Sequence, residues 1–331
     1  MATTAALILF AAITTYAIFG GADFGAGFWD LSAGGTKRGE RPREVIDHAI
    51  APVWEANHVW LIFVFVVLWT CFPEAYASIT LTMFVPLTLA ALGIVLRGAS
   101  FAFRKYSATL GQARLFGVMF AGSSLITPFF LGTVAGAIAS GRVPAEGGGD
   151  VWGSWLNPTS LFGGAIAVGT CCFLAGAFLT ADAARADHPD LTEQLRRRTL
   201  VLGLVTGLVV FAALVPLDRD APTLAAGLEG RAAPLIIASG LAGAGTLVLL
   251  FQRRYQPARL TAVAAVATVV LGWGIAQYPW MLVDEVTIAD AAGAPATLSA
   301  LLIVVALAGV IVLPALAYLL WLTQSERWIR E

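Results

Sequence analysis

Charge is scarce in this sequence. Asp, Glu, Lys and Arg make up 12% of its 331 residues, about half the share a soluble domain carries. With 58% hydrophobic residues and a mean hydropathy of +0.81, that scarcity excludes a soluble fold of this size and puts the chain in a membrane. A net charge of −1 offers no basic surface for nucleic acid. Cysteine is rare as well. Cys71, Cys171 and Cys172 all lie in apolar runs, where they read as small packing residues. No CxxC or CxxCH occurs, so neither a zinc ribbon nor a c-type haem attachment is written here. Histidine is limited to His48, His58 and His188, and only His58 falls in an apolar run. A transmembrane di-haem cytochrome needs histidine pairs in its spans, so haem binding by this chain is not expected. There is no P-loop, HExxH or nucleophile constellation, and so no complete catalytic site and no metal site. No Lys or Arg precedes the first apolar run. A cleaved signal peptide wants a positive n-region there, so the run is read as a transmembrane helix that stays in place.

What is present is a series of long apolar runs. A span needs about 20 mostly apolar residues, and nine stretches qualify: roughly 3–28, 52–72, 75–97, 112–139, 156–180, 199–216, 233–251, 259–281 and 298–322. Of the 20 Lys and Arg, 17 fall on one set of alternate connections and three on the other. The positive-inside rule then sets the N-terminus outside and the C-terminus in the cytoplasm. The connections are short, and Gly-rich "SGRVPAEGGGDVWGSWLNP" places Trp152 and Trp155 at the lipid headgroups. The expected fold is all-α: one membrane domain over 1–331, a bundle of nine transmembrane helices.

Polar residues inside such runs are expensive and usually face protein, a cavity or a partner. In "FGGADFGAGFWD", Asp23 sits among glycines, and Gly21 and Gly25 have the GxxxG spacing that admits a neighbouring backbone. The plainer alternative is a helix-end carboxylate reaching water. In "APVWEANHVWLIFVFVVLWTCFP", Glu55 and His58 are three apart and share a helix face. Asn57 lies on another face, flanked by Trp54 and Trp60. Glu55, Asp23 and His58 form a candidate proton path from the cytoplasm, since carboxylates partly removed from water can pass protons on. The plainer alternative is a Glu–His hydrogen bond at a wet helix start. In "LRGASFAFRKY", Arg97 and Arg104 read as snorkelling anchors, or Arg97 pairs with Glu55 or Asp23.

"GGADFGAGFWDL" and "APVWEANHVWL" together resemble subunit II of the cytochrome bd-type quinol oxidases. "LRGASFAFR", "LNPTSLFGGAIAVGT", "GIAQYPWML" and "ADAAGAPATL" follow in the same order. The resemblance implies nine helices and a heterodimer with a haem-bearing subunit I. It implies quinol and dioxygen as substrates of the complex, with water as product, and protons drawn from the cytoplasm. Haem, b-type with d-type as a further option, is implied for subunit I only. A small accessory membrane subunit and a structural quinone or lipid are left open. Glu55 matches the acid that the family assigns to a proton path, and Asp23 matches the second acid of the glycine block. The sequence departs from the pattern at Gly20, where an acid is usual, at Glu55–Ala56, where Asp–Gly is usual, and at His58, where Gln or Glu is usual.

The reading is therefore a haem-free subunit II of a terminal oxidase in the lipid bilayer, with a candidate proton path. Its rival from another class is a proton-coupled membrane transporter, for which Pro86 inside the third run is a mild argument. A purely structural subunit shares the partner and differs only in giving Glu55 and Asp23 no proton role.

Overall fold

The computed structural model describes residues 1–34, 39–50, 54–104, 106–107 and 109–324. Helices dominate among them. α1 (Ala2–Ser32) has 31 residues and so rises about 46 Å, more than the ~30 Å of a hydrocarbon core. It runs four residues past the expected end of the first span and takes in Asp30. α2 (Glu40–Ile50) is a short amphipathic helix in the first connection. Its Ile46 is buried with Trp29, Leu191 and Leu195.

α3 (Trp54–Cys71) and α4 (Pro73–Thr82) meet at Phe72 with a bend of 119°. Pro73 is at home in the first turn of α4, where its missing N–H costs nothing. A single residue, Met83, separates α4 from α5 (Phe84–Arg104). The third span expected at 75–97 is corrected accordingly. Residues 73–82 form a separate helix, and the long third helix begins at Phe84. Pro86 lies in its first turn, where no intrahelical bond is lost. It does not break a span.

α6 (Leu110–Ala139) is capped by the Thr109 hydroxyl, which accepts from the Gln112 N–H at 3.2 Å. α7 (Pro158–Arg185) is capped by Asn157, whose side-chain oxygen accepts from the Ser160 N–H at 2.9 Å. α8 (Pro189–Asp220) begins ten residues before the expected 199–216. Glu193 pairs there with Arg196 and Arg197 one turn on, each at 2.7 Å, so this polar turn stays helical. α9 (Pro222–Glu229), α10 (Ala233–Phe251) and α11 (Tyr255–Gln277) follow. The eighth span, expected to reach 281, stops at Gln277 because Tyr278 must be extended ahead of Pro279. Beyond it, β1 (Trp280–Leu282) and β2 (Val286–Thr287) pair as an antiparallel hairpin. α12 (Pro295–Gln324) ends the described chain. Among the described residues, eight helices are long and apolar enough to cross a membrane, and α3 with α4 is a ninth candidate as a bent pair.

α1 is the central helix, packed against α3, α6, α7 and α11. Gly25 explains how closely α7 approaches: a Cβ there would come within 1.9 Å of the Cys171 carbonyl oxygen. α12 is the opposite case. It packs chiefly on α3, and none of its most apolar window is buried. Two buried clusters flank the middle of α1. One joins Leu9, Val67, Ala75, Val134, Trp155 and Leu282. Trp155 is therefore packed into the core, edge-on to Phe130 at 5.7 Å, with the ring of exposed Trp152 5.9 Å away. The other joins Ala26, Trp29, Ile46, Phe120 and Leu179. The three cysteines are buried and unbridged.

Candidate functional site

Asp23 and Asp30 are seven residues apart on α1, two turns on nearly one face, and Arg97 and Arg104 have the same spacing on α5. They meet in order. Arg97 Nη2 donates to Asp23 Oδ1 at 2.6 Å and to the Asp23 carbonyl at 3.2 Å. Arg104 Nη1 donates to Asp30 Oδ2 at 2.7 Å. Two rungs in this register require α1 and α5 to run in the same direction. α6 packs against both helices, and the two long arginine side chains reach past it. A third arginine, Arg43 of α2, donates from Nε to Asp30 Oδ1 at 2.9 Å.

The Asp23–Arg97 rung is buried, with side chains 2% and 1% exposed. Removing such charges from water costs several kcal/mol per ion, so the remaining donors and faces matter. Arg97 Nε donates to Ser124 Oγ at 3.1 Å, and Ser124 donates onward to the Phe120 carbonyl at 2.6 Å. The guanidinium is held between the rings of Phe24 and Phe120, at 5.1 and 5.0 Å from their centroids. Arg97 is therefore no snorkelling anchor; it pairs with Asp23. Asp23 is no water-reaching helix end either, since it lies nine residues, about 14 Å, inside the Ser32 end of α1. Arg104 is likewise corrected from anchor to partner of Asp30.

Around this rung three polar atoms have no hydrogen-bond partner among the described residues: Asp23 Oδ2, Tyr16 Oη and His58 Nδ1. Their side chains converge. The His58 ring lies 5.6 Å from Phe24 and 6.3 Å from Tyr16, and Tyr16 lies 6.4 Å from Phe24. Asp23 is close enough for its charge to act on both Tyr16 and His58. Gly20 makes room for this arrangement, because a Cβ there would come within 2.6 Å of the Tyr16 ring. The departure at Gly20 thus coincides with an aromatic ring over the same spot.

Of the residues singled out in the sequence, Asp23, Arg97 and His58 come together, while Arg104 joins the neighbouring rung. Glu55 and Trp54 sit in the first turn of α3, with side chains outside the described residues. Asn57 is buried, and Trp60 packs edge-on against Phe63 at 6.3 Å. Tyr16, Asp30 and Ser124 were missed. The seven-residue interval from Asp23 could have revealed Asp30, and the glycine four residues after Tyr16 was the other available signal. Chemically, a carboxylate with one committed and one free oxygen, set beside an imidazole and a phenol, can accept and return a proton. Among the described residues no group of three or more His, Cys, Asp or Glu could hold a metal ion.

Comparison with known proteins gives a consistent result. Residues 1–323 match the family model described as cytochrome bd terminal oxidase subunit II. A "Cytochrome bd ubiquinol oxidase subunit 2" of Bacillus subtilis (strain 168) is 26% identical over 204 residues, covering 60% of this chain and 58% of that protein. The chain thus spans under two thirds of that relative's length. A "Putative cytochrome bd menaquinol oxidase subunit II" of the same strain is 24% identical over 342 residues, covering 98% of this chain and 96% of the relative. A chain in the structure of bd oxidase from Geobacillus thermodenitrificans has the same fold, with a TM-score of 0.82, 24% identity and 98% of each chain covered.

Proposed function

This chain belongs to the cytochrome bd terminal oxidase subunit II family, and on that premise we propose that it is the haem-free subunit of a quinol:oxygen oxidoreductase and carries a proton path. It is a multi-pass protein of the bacterial cytoplasmic membrane. Its partner is a haem-bearing subunit I that oxidises quinol and reduces dioxygen to water. This chain brings protons to it from the cytoplasm. The N-terminus is outside and the C-terminus inside. In support, α1 and α5 run in the same direction, as the first and third spans of an alternating chain must. The Asp30 and Arg104 ends that they share adjoin connections rich in Lys and Arg.

The family implies haem in the complex. The described histidine side chains do not fit one: the ring of His58 is flanked by Tyr16 and Phe24, and His188 sits in the turn ahead of α8. Haem is therefore assigned to the partner.

One observation carries the proton role. The Asp23 carboxylate is buried in mid-helix, with Oδ1 tied to Arg97 and Oδ2 left without a partner among the described residues, and the next residue, Phe24, meets the His58 ring edge-on at 5.6 Å. Glu55, one turn before His58 on α3, is the entry, and His58 and Asp23 take the proton inward. A second reading has its own support. The same rung ties α1 to α5, so the subunit could serve as scaffold alone. The transporter reading loses its support with the family assignment and with Pro86 at a helix start. Glu55→Gln and Asp23→Asn in the purified complex separate the two that remain. On the proton-path reading, quinol oxidation and proton uptake each fall about tenfold or more, with the haem absorbance of the complex unchanged. Wild-type rates in both variants return this chain to a scaffold.

A further inference from the structure

Tyr16 belongs to no motif of the sequence and to no role so far assigned. In an apolar run a tyrosine is ordinarily a core residue whose hydroxyl finds a partner when buried. Here the hydroxyl is buried and has none among the described residues. Its ring is not free to turn away. It lies along α1 over Gly20, in the space a Cβ would need, and its edge meets Phe24 at 6.4 Å. On the α3 side it faces His58 at 6.3 Å. The ring is thus held between two helices in a setting where its hydroxyl has no partner among the described residues, a cost of about 1–3 kcal/mol for a buried polar group. Two other groups nearby bear the same cost, Asp23 Oδ2 and His58 Nδ1.

Three buried polar atoms without partners among the described residues, on side chains grouped about the Phe24 ring and the Arg97 guanidinium over it, can be satisfied by bound water, which needs two to four polar partners. We infer that Tyr16 is a relay residue of the proton path: its hydroxyl, Asp23 Oδ2 and His58 Nδ1 share a short water chain, with Gly20 kept small to seat the phenol ring. The inference rests on the proton-path reading. A phenol can donate and accept at once. A proton arriving through water from the His58 side binds the Tyr16 oxygen as the hydroxyl's own proton leaves through water toward Asp23. Nothing is oxidised or reduced, and the tyrosine ends as it began. The charged and titratable groups around it are Asp23 and Arg97 on the rung, His58 on α3 and Cys171 on α7.

Tyr16→Phe tests this in the intact complex, since it removes one oxygen and keeps the ring over Gly20. The expected result is at least about a tenfold loss of quinol oxidation at saturating quinol and oxygen. Haem absorbance should not change, and the solvent deuterium isotope effect should rise. Gly20→Ala is the second variant. Its methyl displaces the ring while keeping the hydroxyl, and it should slow turnover by a smaller factor, with the same rise in isotope effect. If Tyr16→Phe matches wild type in rate and isotope effect while Glu55→Gln and Asp23→Asn are slow, Tyr16 is not a relay and the proton path stands without it. If all three match wild type, both the inference and the reading beneath it fall.

Discussion

The two rungs between α1 and α5 use the same residues at the same spacing, yet their surroundings differ. At the Asp30 rung both carboxylate oxygens are engaged, one by Arg43 and one by Arg104, and the arginines remain 27% and 20% exposed. At the Asp23 rung both side chains are buried, one oxygen is engaged, and the other is left over. The rim rung behaves as a clamp. It has two interchangeable arginines in a partly wet place, and it joins α2, α1 and α5 at one end of the bundle. The inner rung is a poor clamp by comparison, because a buried ion pair returns little net stability once desolvation is counted. A pair retained there with an unused carboxylate oxygen fits handling of protons better than holding of helices.

The contrast predicts unequal costs. Arg97→Met leaves a carboxylate buried without a counter-ion, so it should destabilise the subunit by about 3–5 kcal/mol. Loss of assembled, haem-containing complex at the growth temperature would register it. A rim variant should cost far less. Arg104→Gln leaves Asp30 with Arg43, and Arg43→Gln leaves it with Arg104, so each should cost about 0.2–1 kcal/mol. In a thermal-shift series, added salt should shrink this small rim cost further, since the two arginines are partly exposed and screened. If Arg104→Gln proved as damaging as Arg97→Met, the division into a clamp and a working pair would be lost.

Much of this was legible in the sequence. Hydropathy located most long helices to within about five residues, but α8 begins ten residues early because Glu193 with Arg196 and Arg197 keeps a polar turn helical. It failed at 73–97, because the run from Pro73 to Thr82 is apolar enough to join its neighbour and nothing local marks the 119° bend at Phe72. Asp23 and Arg97 stood out as charges inside apolar runs. Their pairing was one of the options the sequence left open beside a snorkelling anchor and a pair with Glu55; the choice among them is a property of the packed bundle, because α1 and α5 are joined through side chains across α6. Asp30 was overlooked because it follows the apolar run, where a carboxylate is expected to reach water; α2 and two arginines cover it instead. Tyr16 was overlooked because a tyrosine among apolar residues has the same pattern whether its hydroxyl is satisfied or stranded.

The most direct test of the account replaces the inner rung whole, with Asp23→Leu and Arg97→Met in one chain. Without an unpaired charge left behind, this exchange should hold stability within about 1–2 kcal/mol of wild type, so the complex should assemble with its haem absorbance intact. Proton uptake during steady quinol oxidation is then the quantity to measure. The account predicts that uptake and turnover collapse together in an assembled complex. Wild-type uptake in that variant would show that the buried pair only ties α1 to α5.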